Sequence, residues 1–315
     1  MRHEVAGGRE NNNKPIEGNI MRRFHKALLL GGLVSSLFTI AAPVAQASVS
    51  IGVIAPRGEL KSMKRWSDFG KYMSEKVGEK VSIKPLSPKK LIPTVQSGKV
   101  DFVLSNPTQA VILQEVHGAM PLATLNKKSG SQFAGVILAK KGNGISKAED
   151  LKGKKVMALK FRRAAGAYTF QTYHLQQKGI DPHKDFAMFK EGKKQDDLVL
   201  AVKAGVIDAA FVRSGLVENM AKEGKVSMDD FVIVDQRDGD GLAAAHTTQL
   251  YPEWYLSAAK GTDNGLADKI KNASLALQAS DKAAQTAKIQ GFVEPVSMDS
   301  MKEALKALKI TPYDK

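Results

Sequence analysis

Residues 100–109 read VDFVLSNPTQ, a short apolar strand at 102–104 that runs straight into Ser105, Asn106, Pro107 and Thr108 and then into an apolar helix over 110–116. Proline just inside a helix start, with Ser, Asn and Thr around it, is N-cap chemistry. It sets hydroxyls and backbone N–H groups at the carboxyl end of a strand, where open α/β sheets bind small ligands and a helix N-terminus favours an anion. Most such turns only cap their helix, so the motif alone fits either role. Arg213 offers the complementary charge. It follows the apolar run DAAFV at 208–212, where a buried cation is costly unless paired, and a guanidinium suits a bidentate grip on an oxyanion. The alternative is a salt bridge to Asp208 or another acid across a cleft. Arg57, in the loop after the first strand, reads equally as a ligand contact or a solvated loop residue. Ser131 and Gln132 precede an apolar strand, as its cap or as ligand contacts. His246, Thr247 and Thr248 fall in a late return segment; a lone His is more often structural, and ligand contact is the other reading. Arg162 and Arg163 flank a helix start, where positive charge opposes the macrodipole and a bound anion would relieve it.

Other chemistries lack their residues. His117, His174, His183 and His246 show no pair at helical ligand spacing, so no metal site is expected. There is no Cys, no G-x-S-x-G and no Walker-type loop. No cofactor and no enzymatic activity are expected. The missing Cys also excludes disulfides, thiolate chemistry and a lipoprotein anchor.

The N-terminus sets the compartment. Met21, Arg22, Arg23 and Lys26 form a basic start, 27–42 is apolar, and Ala45-Gln46-Ala47 is a small-x-small cleavage site before Ser48. This pattern is a secretory signal peptide, and it places the mature chain, 48–315, in a bacterial periplasm. Residues 1–20 are polar and precede the basic region, so either Met21 is the true start or the leader is long. Nothing after residue 47 is long and apolar enough to span a bilayer. The 315-residue chain has a formal net charge of +15; residues 1–47 hold six Lys/Arg and three Asp/Glu, which leaves +12 on the mature part. A basic surface concentrates anions. Export and the lack of aromatic–basic interleaving argue against nucleic acid.

From Ser48 onward, strands and helices alternate. A strand at 48–55 precedes a helix over 62–77 with Met63, Trp66, Phe69, Met73 and Val77 at helical spacing. The pattern restarts with a strand at 155–159 and a helix over 164–178, and the tail beyond 263 is helical. An α/β fold of two lobes is expected, 48–138 plus 240–315 against 139–239, with the tail packed on the first lobe and crossovers at 133–139 and 235–248.

The phrases IGVIAPRG, GKVDFVLSNPTQ, GISKAEDLKGKKV, LAVKAGVIDAAFVRSG and YPEWYLSAAKGT occur in this order. Together they resemble the phosphonate/phosphate-type periplasmic binding proteins of ABC transporters. Arg57-Gly58, SNPTQ, Gln195-Asp196, Val212-Arg213 and His246-Thr247-Thr248 before Leu250-Tyr251-Pro252 look most like one branch, the periplasmic sensor domain of tetrathionate-type sensor kinases. The resemblance implies a type II fold with a ligand cleft between lobes joined by crossover strands. It implies a monomer that closes on a small phosphorus or sulfur oxyanion and presents it to an ABC permease or a sensor kinase. No kinase is expected here, since the sequence stops at Lys315. The resemblance puts the cleft at Ser105, Asn106 and Thr108. Phosphonate binders of the family open the second-lobe helix with a Ser-Thr-Ser-Gly-like segment, where this chain has Arg162-Arg163-Ala164-Ala165-Gly166-Ala167. The hydroxyls are gone, so Ala165, Gly166 and Ala167 are expected to meet the anion through backbone N–H groups. The branch also tends to place a Cys near 242–246, where this chain reads LAAAH, so thiol-based sensing is not carried over.

Overall fold

The computed structural model describes residues 48–314; the leader expected at 1–47 lies outside them. The chain starts with β1 (Val49–Ile54), every residue of which is buried, and α1 (Glu59–Val77). Trp66, Phe69, Met73 and Val77 form the buried stripe of α1, and Gly78 ends it in the left-handed region at φ 78°. Then follow β2 (Val81–Leu86), α2 (Leu91–Gln96), β3 (Phe102–Ser105), α3 (Pro107–His117) and β4 (Met120–Asn126). A two-residue strand, β5 (Gln132–Phe133), leads into β6 (Gly135–Lys140) and β7 (Lys155–Ala158). A π-helical turn at Ala165–Thr169 runs into α4 (Phe170–Gln177), followed by α5 (Pro182–Asp185) and β8 (Met188–Glu191). Next come α6 (Gln195–Lys203), β9 (Ala209–Arg213), α7 (Leu216–Lys222) and β10 (Phe231–Ile233). The chain returns through β11 (Tyr251–Pro252) to β12 (Tyr255–Ala258), α8 (Asn264–Leu275), α9 (Lys282–Ala287), β13 (Gly291–Val293) and α10 (Asp299–Ala307).

These strands form two mixed sheets and a ribbon. The first sheet has the order β13-β4-β12-β3-β1-β2 and the second β10-β6-β9-β7-β8. In the first, β1 lies parallel to β2 and β3, while β12 is antiparallel between β3 and β4 and sets Tyr255 opposite Ser105. In the second, β9 is parallel to β7 and antiparallel to β6, which sets Gly135 opposite Arg213. The antiparallel ribbon β5–β11 pairs Phe133 with Tyr251 and Gln132 with Pro252. Both strand connections between the two sheets therefore run side by side.

The ribbon moves the expected boundaries. The sequence pattern places residues 135–138 in the first lobe, but β6 is registered on β9 and belongs to the second sheet. The same pattern places residues 240–248 in the first lobe. Thr247 instead lies along the second sheet, where its N–H donates to the Gly135 carbonyl (2.9 Å). The helical tail divides too. Helices α8 and α9 pack on α1 and the first sheet, whereas α10 touches both α3 and α4. Its buried Met301, Ala304 and Leu305 join one apolar cluster with Ala110, Val111, Phe170 and Tyr251.

Aromatic stacking holds the ribbon in that cluster. The rings of Phe170 and Tyr251 stack at 3.8 Å between centroids, and Phe133 meets Phe170 at 5.1 Å. Phe170 is fully buried at the junction of α4 and the ribbon. Phe170→Ala should lower the unfolding free energy by about 3–5 kcal/mol, read from urea denaturation.

Candidate functional site

Strand β3 delivers Ser105 fully buried at its carboxyl end, and the turn that follows caps α3. Asn106 is the N-cap, its Oδ1 accepting from Gln109 N–H at 3.1 Å. Its Nδ2 donates to the Arg163 carbonyl at 3.5 Å, linking this turn to the segment that precedes the π-helical turn. Ser105 Oγ and Thr108 Oγ1 are buried and have no hydrogen-bond partner within the protein. On α1, Ser62 Oγ is in the same condition. Buried hydroxyls are rarely left unmatched, and Thr172 Oγ1 and Tyr251 Oη share this condition among the described residues.

Arg213 ends the apolar strand β9. Its backbone N–H donates to Gln195 Oε1 (2.8 Å), its Nε to the Ser214 carbonyl (3.3 Å), and its Nη2 to Glu253 Oε1 (2.8 Å). The guanidinium carbon lies 4.7 Å from the centroid of the Phe133 ring. Gly166 packs here because nothing larger fits: a Cβ on it would come within 2.5 Å of Phe133 and 3.4 Å of Arg213 Cβ. The start of the π-helical turn at Ala165, Gly166 and Ala167 is thus pressed against Arg213, and first-turn N–H groups lack intrahelical acceptors.

The acid that pairs with Arg213 is Glu253, between β11 and β12. Asp208, the first candidate from sequence, instead accepts from Lys155 N–H at 2.7 Å. Glu253 is fully buried, and its Oε1 also takes Lys127 Nζ at 2.8 Å. Its other oxygen, Oε2, has no partner. Burial pushes the Glu253 carboxyl up, but Lys127 and Arg213 outweigh it and hold the group at about 2. Burial, reinforced by the Arg213 charge, drops Lys127 to about 7, against the upward pull of Glu253. Arg65 on α1, one turn beyond Ser62, donates Nε to the Ala287 carbonyl (2.8 Å). Burial and the nearby Arg213 lower it to about 10. Lys127 and Arg213 thus share a single carboxylate, with the Arg65 charge near enough to influence it.

Of the residues expected from sequence, the turn of Ser105, Asn106 and Thr108 meets the segment before the π-helical turn through Asn106 Nδ2 and the Arg163 carbonyl, and Gly166 of that turn lies against Arg213. Arg57, in the loop between β1 and Gly58 (φ 99°), also reaches across: its Nη2 pairs with Asp196 Oδ2 on α6 at 2.7 Å. Ser131 contributes its carbonyl, which accepts from Glu253 N–H (2.8 Å). His246 and Thr247 were expected at the ligand and are used elsewhere. Both imidazole nitrogens of His246 are taken, Nδ1 by the Ala244 carbonyl and Nε2 by Asp240 Oδ2, each at 2.8 Å. Thr247 Oγ1 accepts from Ile137 N–H (2.9 Å) and donates to the Val234 carbonyl (2.7 Å), tying the return segment to the second sheet. Arg162 is spent on the tail, where Nη2 donates to the Lys309 carbonyl. Sequence reasoning missed Arg65, Lys127 and Glu253. Only Glu253 left a signal, as the one charge in the apolar run Leu250–Leu256.

A sequence profile described as the periplasmic substrate-binding protein of phosphonate ABC transporters matches residues 51–302. This chain belongs to that family. Family membership makes it a solute-binding protein of periplasmic type. The tetrathionate sensor histidine kinase TtrS of Salmonella typhimurium is 33% identical over 230 residues, 71% of this chain. The chain spans only 38% of that relative's length. Among solved structures, PhnD1 of Prochlorococcus marinus in complex with methylphosphonate superposes with a TM-score of 0.67 at 16% identity, covering 83% of this chain and 98% of the other. A phosphonate-transporter binding component from Pseudomonas aeruginosa gives 0.66 at 16% identity, covering 84% and 88%. At such identities the likeness concerns the fold, which is that of the type II periplasmic binding proteins.

Two outcomes test this geometry. Glu253→Gln should cost about 3–5 kcal/mol of stability, because it leaves the half-buried Lys127 and Arg213 without their carboxylate. The native carboxyl, at about 2, lies below its ordinary 4.5. Its contribution is therefore complete above about pH 4.5 and is lost as pH falls toward 2; urea unfolding across that window should show the loss in the native protein and not in the variant. Thr247→Val should destabilise by about 1–3 kcal/mol through its two broken buried hydrogen bonds and leave ligand affinity unchanged.

Proposed function

We propose that this protein is an exported binding protein, not a catalyst, that closes two lobes on a small phosphorus or sulfur oxyanion. The observation that carries the reading is the pairing of Lys127 and Arg213 with one buried carboxylate, Glu253, with a third cation, Arg65, close enough to feel their charges. Three cations against one anion in a site where Glu253 is fully buried is an unfavourable balance unless a further negative charge enters. The unmatched hydroxyls of Ser105 and Thr108 supply donors for the oxygens of such a ligand. The helix start at Ala165–Ala167 adds backbone N–H groups, in place of the hydroxyls that phosphonate binders of the family carry. Arg57–Asp196 and Asn106–Arg163 are the contacts that form when the lobes shut on the ligand.

The closed form is then read by a partner, either an ABC permease for uptake or a receptor kinase for sensing. The 33% identity to a sensor kinase over 71% of the chain supports the sensory partner. In this reading the leader at 1–47 is removed at Ala47, and the mature protein works in the periplasm.

Thermal-shift titration with phosphate, phosphite, methylphosphonate, sulfate, thiosulfate and tetrathionate should raise the melting temperature with at least one of them, since a ligand bound only to the native state stabilises it by mass action. Silence across the panel would refute the reading. Arg213→Ala should weaken the active anion by about 2–5 kcal/mol while the protein stays folded, and Arg213→Lys should recover only part, because the fork geometry is lost. Calorimetry on the folded variants checks both.

A further inference from the structure

Arg213 is held from both ends. Its guanidinium meets Glu253 and the Phe133 ring, and the peptide that leads into it is gripped by two glutamines. Gln171 Nε2 donates to the Val212 carbonyl (2.8 Å), and Gln195 Oε1 accepts from the Arg213 N–H (2.8 Å). One peptide plane thus has both of its polar groups fixed by side chains. The two grips differ. Gln171 is fully buried, and its Nε2 also donates to the carbonyls of Val136 (3.2 Å) and Gly166 (3.1 Å), so it belongs to the packing of the second sheet. Gln195 is half-buried and is the first residue of α6. It reaches Arg213 where the register of β7 on β9 has already ended, at Ala210, and a strand N–H needs another acceptor. Its neighbour Asp196 takes Arg57 from the loop after β1 at 2.7 Å. The first turn of α6 is therefore tied on one side to Arg213 and on the other to the first lobe.

We propose that Gln195 is a positioning residue for the anion: it aims Arg213 through the backbone N–H, from a helix turn that the Arg57–Asp196 pair steadies across the lobes. The proposal rests on the anion-binding reading above. A guanidinium grips an oxyanion with N–H groups set in one plane, so its hold depends on direction as well as on distance. The side chain leaves from the Cα at the edge of the clamped peptide, so fixing that plane fixes where the fork starts. Without the Gln195 acceptor the charge of Arg213 stays and its aim is lost. A lysine ammonium in the same place is a compact point charge and needs no such aim. Arg57 enters through the turn itself. When the lobes part, the Arg57–Asp196 contact separates, and the turn that carries Gln195 loses its outer tether.

Isothermal titration of the full mature protein with phosphate, methylphosphonate, sulfate, thiosulfate and tetrathionate reads this role. Gln195→Met keeps a good helix former and removes the acceptor. For each anion that binds the native protein, it should weaken binding by about tenfold, the scale of one hydrogen bond, with urea unfolding showing the variant still folded. In an Arg213→Lys background the same substitution should weaken binding by less than about threefold. In an Arg57→Met background its effect should also shrink, because the turn is already loose. The Arg213 Nε–H resonance, sharp in the native anion complex, should broaden in Gln195→Met and sharpen again in Gln195→Glu, which restores an acceptor oxygen. Undiminished affinity in folded Gln195→Met, a loss as large in the Arg213→Lys or Arg57→Met background as in the native one, or an Arg213 resonance that the substitutions leave alone would overturn the proposal by itself. Failure of every anion to bind the native protein would remove the underlying reading, and this inference with it.

Discussion

Glu253 is the constraint on which the arrangement depends. Its fully buried carboxylate accepts Arg213 from the end of β9 and Lys127 from the end of the first sheet, while its own N–H is held by the Ser131 carbonyl. One side chain therefore ties the second sheet, the turn after β4 and the link from β11 to β12 into one junction. Burying a carboxylate is costly, and two cations on one oxygen offset that cost. The same pairing fixes the Arg213 guanidinium against Phe133 and Gly166, which removes the rotamer freedom of a long side chain before any ligand arrives. A binding group that is already ordered loses less entropy on binding.

The junction also explains why cations exceed anions here. In the proposed reading a full complement of carboxylates would satisfy the cluster internally and leave nothing for a ligand to do, whereas Glu253 alone leaves positive charge in excess. The unmatched Oε2 of Glu253 and the unmatched hydroxyls of Ser105 and Thr108 sit in this same economy of incomplete satisfaction.

Local chemistry was legible in the sequence where it is self-contained. Asn106 and Pro107 announce the start of α3, Trp66, Phe69, Met73 and Val77 announce the buried face of α1, and an arginine after a buried strand announces a paired or ligand-facing cation. What failed was long-range. Residues 135–138 read as a crossover because apolar runs look alike whether they link sheets or lie inside one; only the pairing of β6 with β9 decides. His246 and Thr247 read as ligand contacts because their partners, Asp240, Ala244, Ile137 and Val234, cannot be seen from their own positions. Lys127 sits in the polar turn Asn126-Lys127-Lys128-Ser129 and looks like any solvated lysine until Glu253 folds over it.

In the proposed reading the excess positive charge at Arg65, Lys127 and Arg213 is the anion site. A crystal of the mature protein grown with selenate, a dianion carrying an anomalous scatterer, locates the ligand without assumption. The account predicts one strong selenium peak within hydrogen-bonding reach of the Arg213 guanidinium and of Ser105 Oγ. A peak confined to surface lysines, or at another cleft with this cluster left as it is, would contradict it.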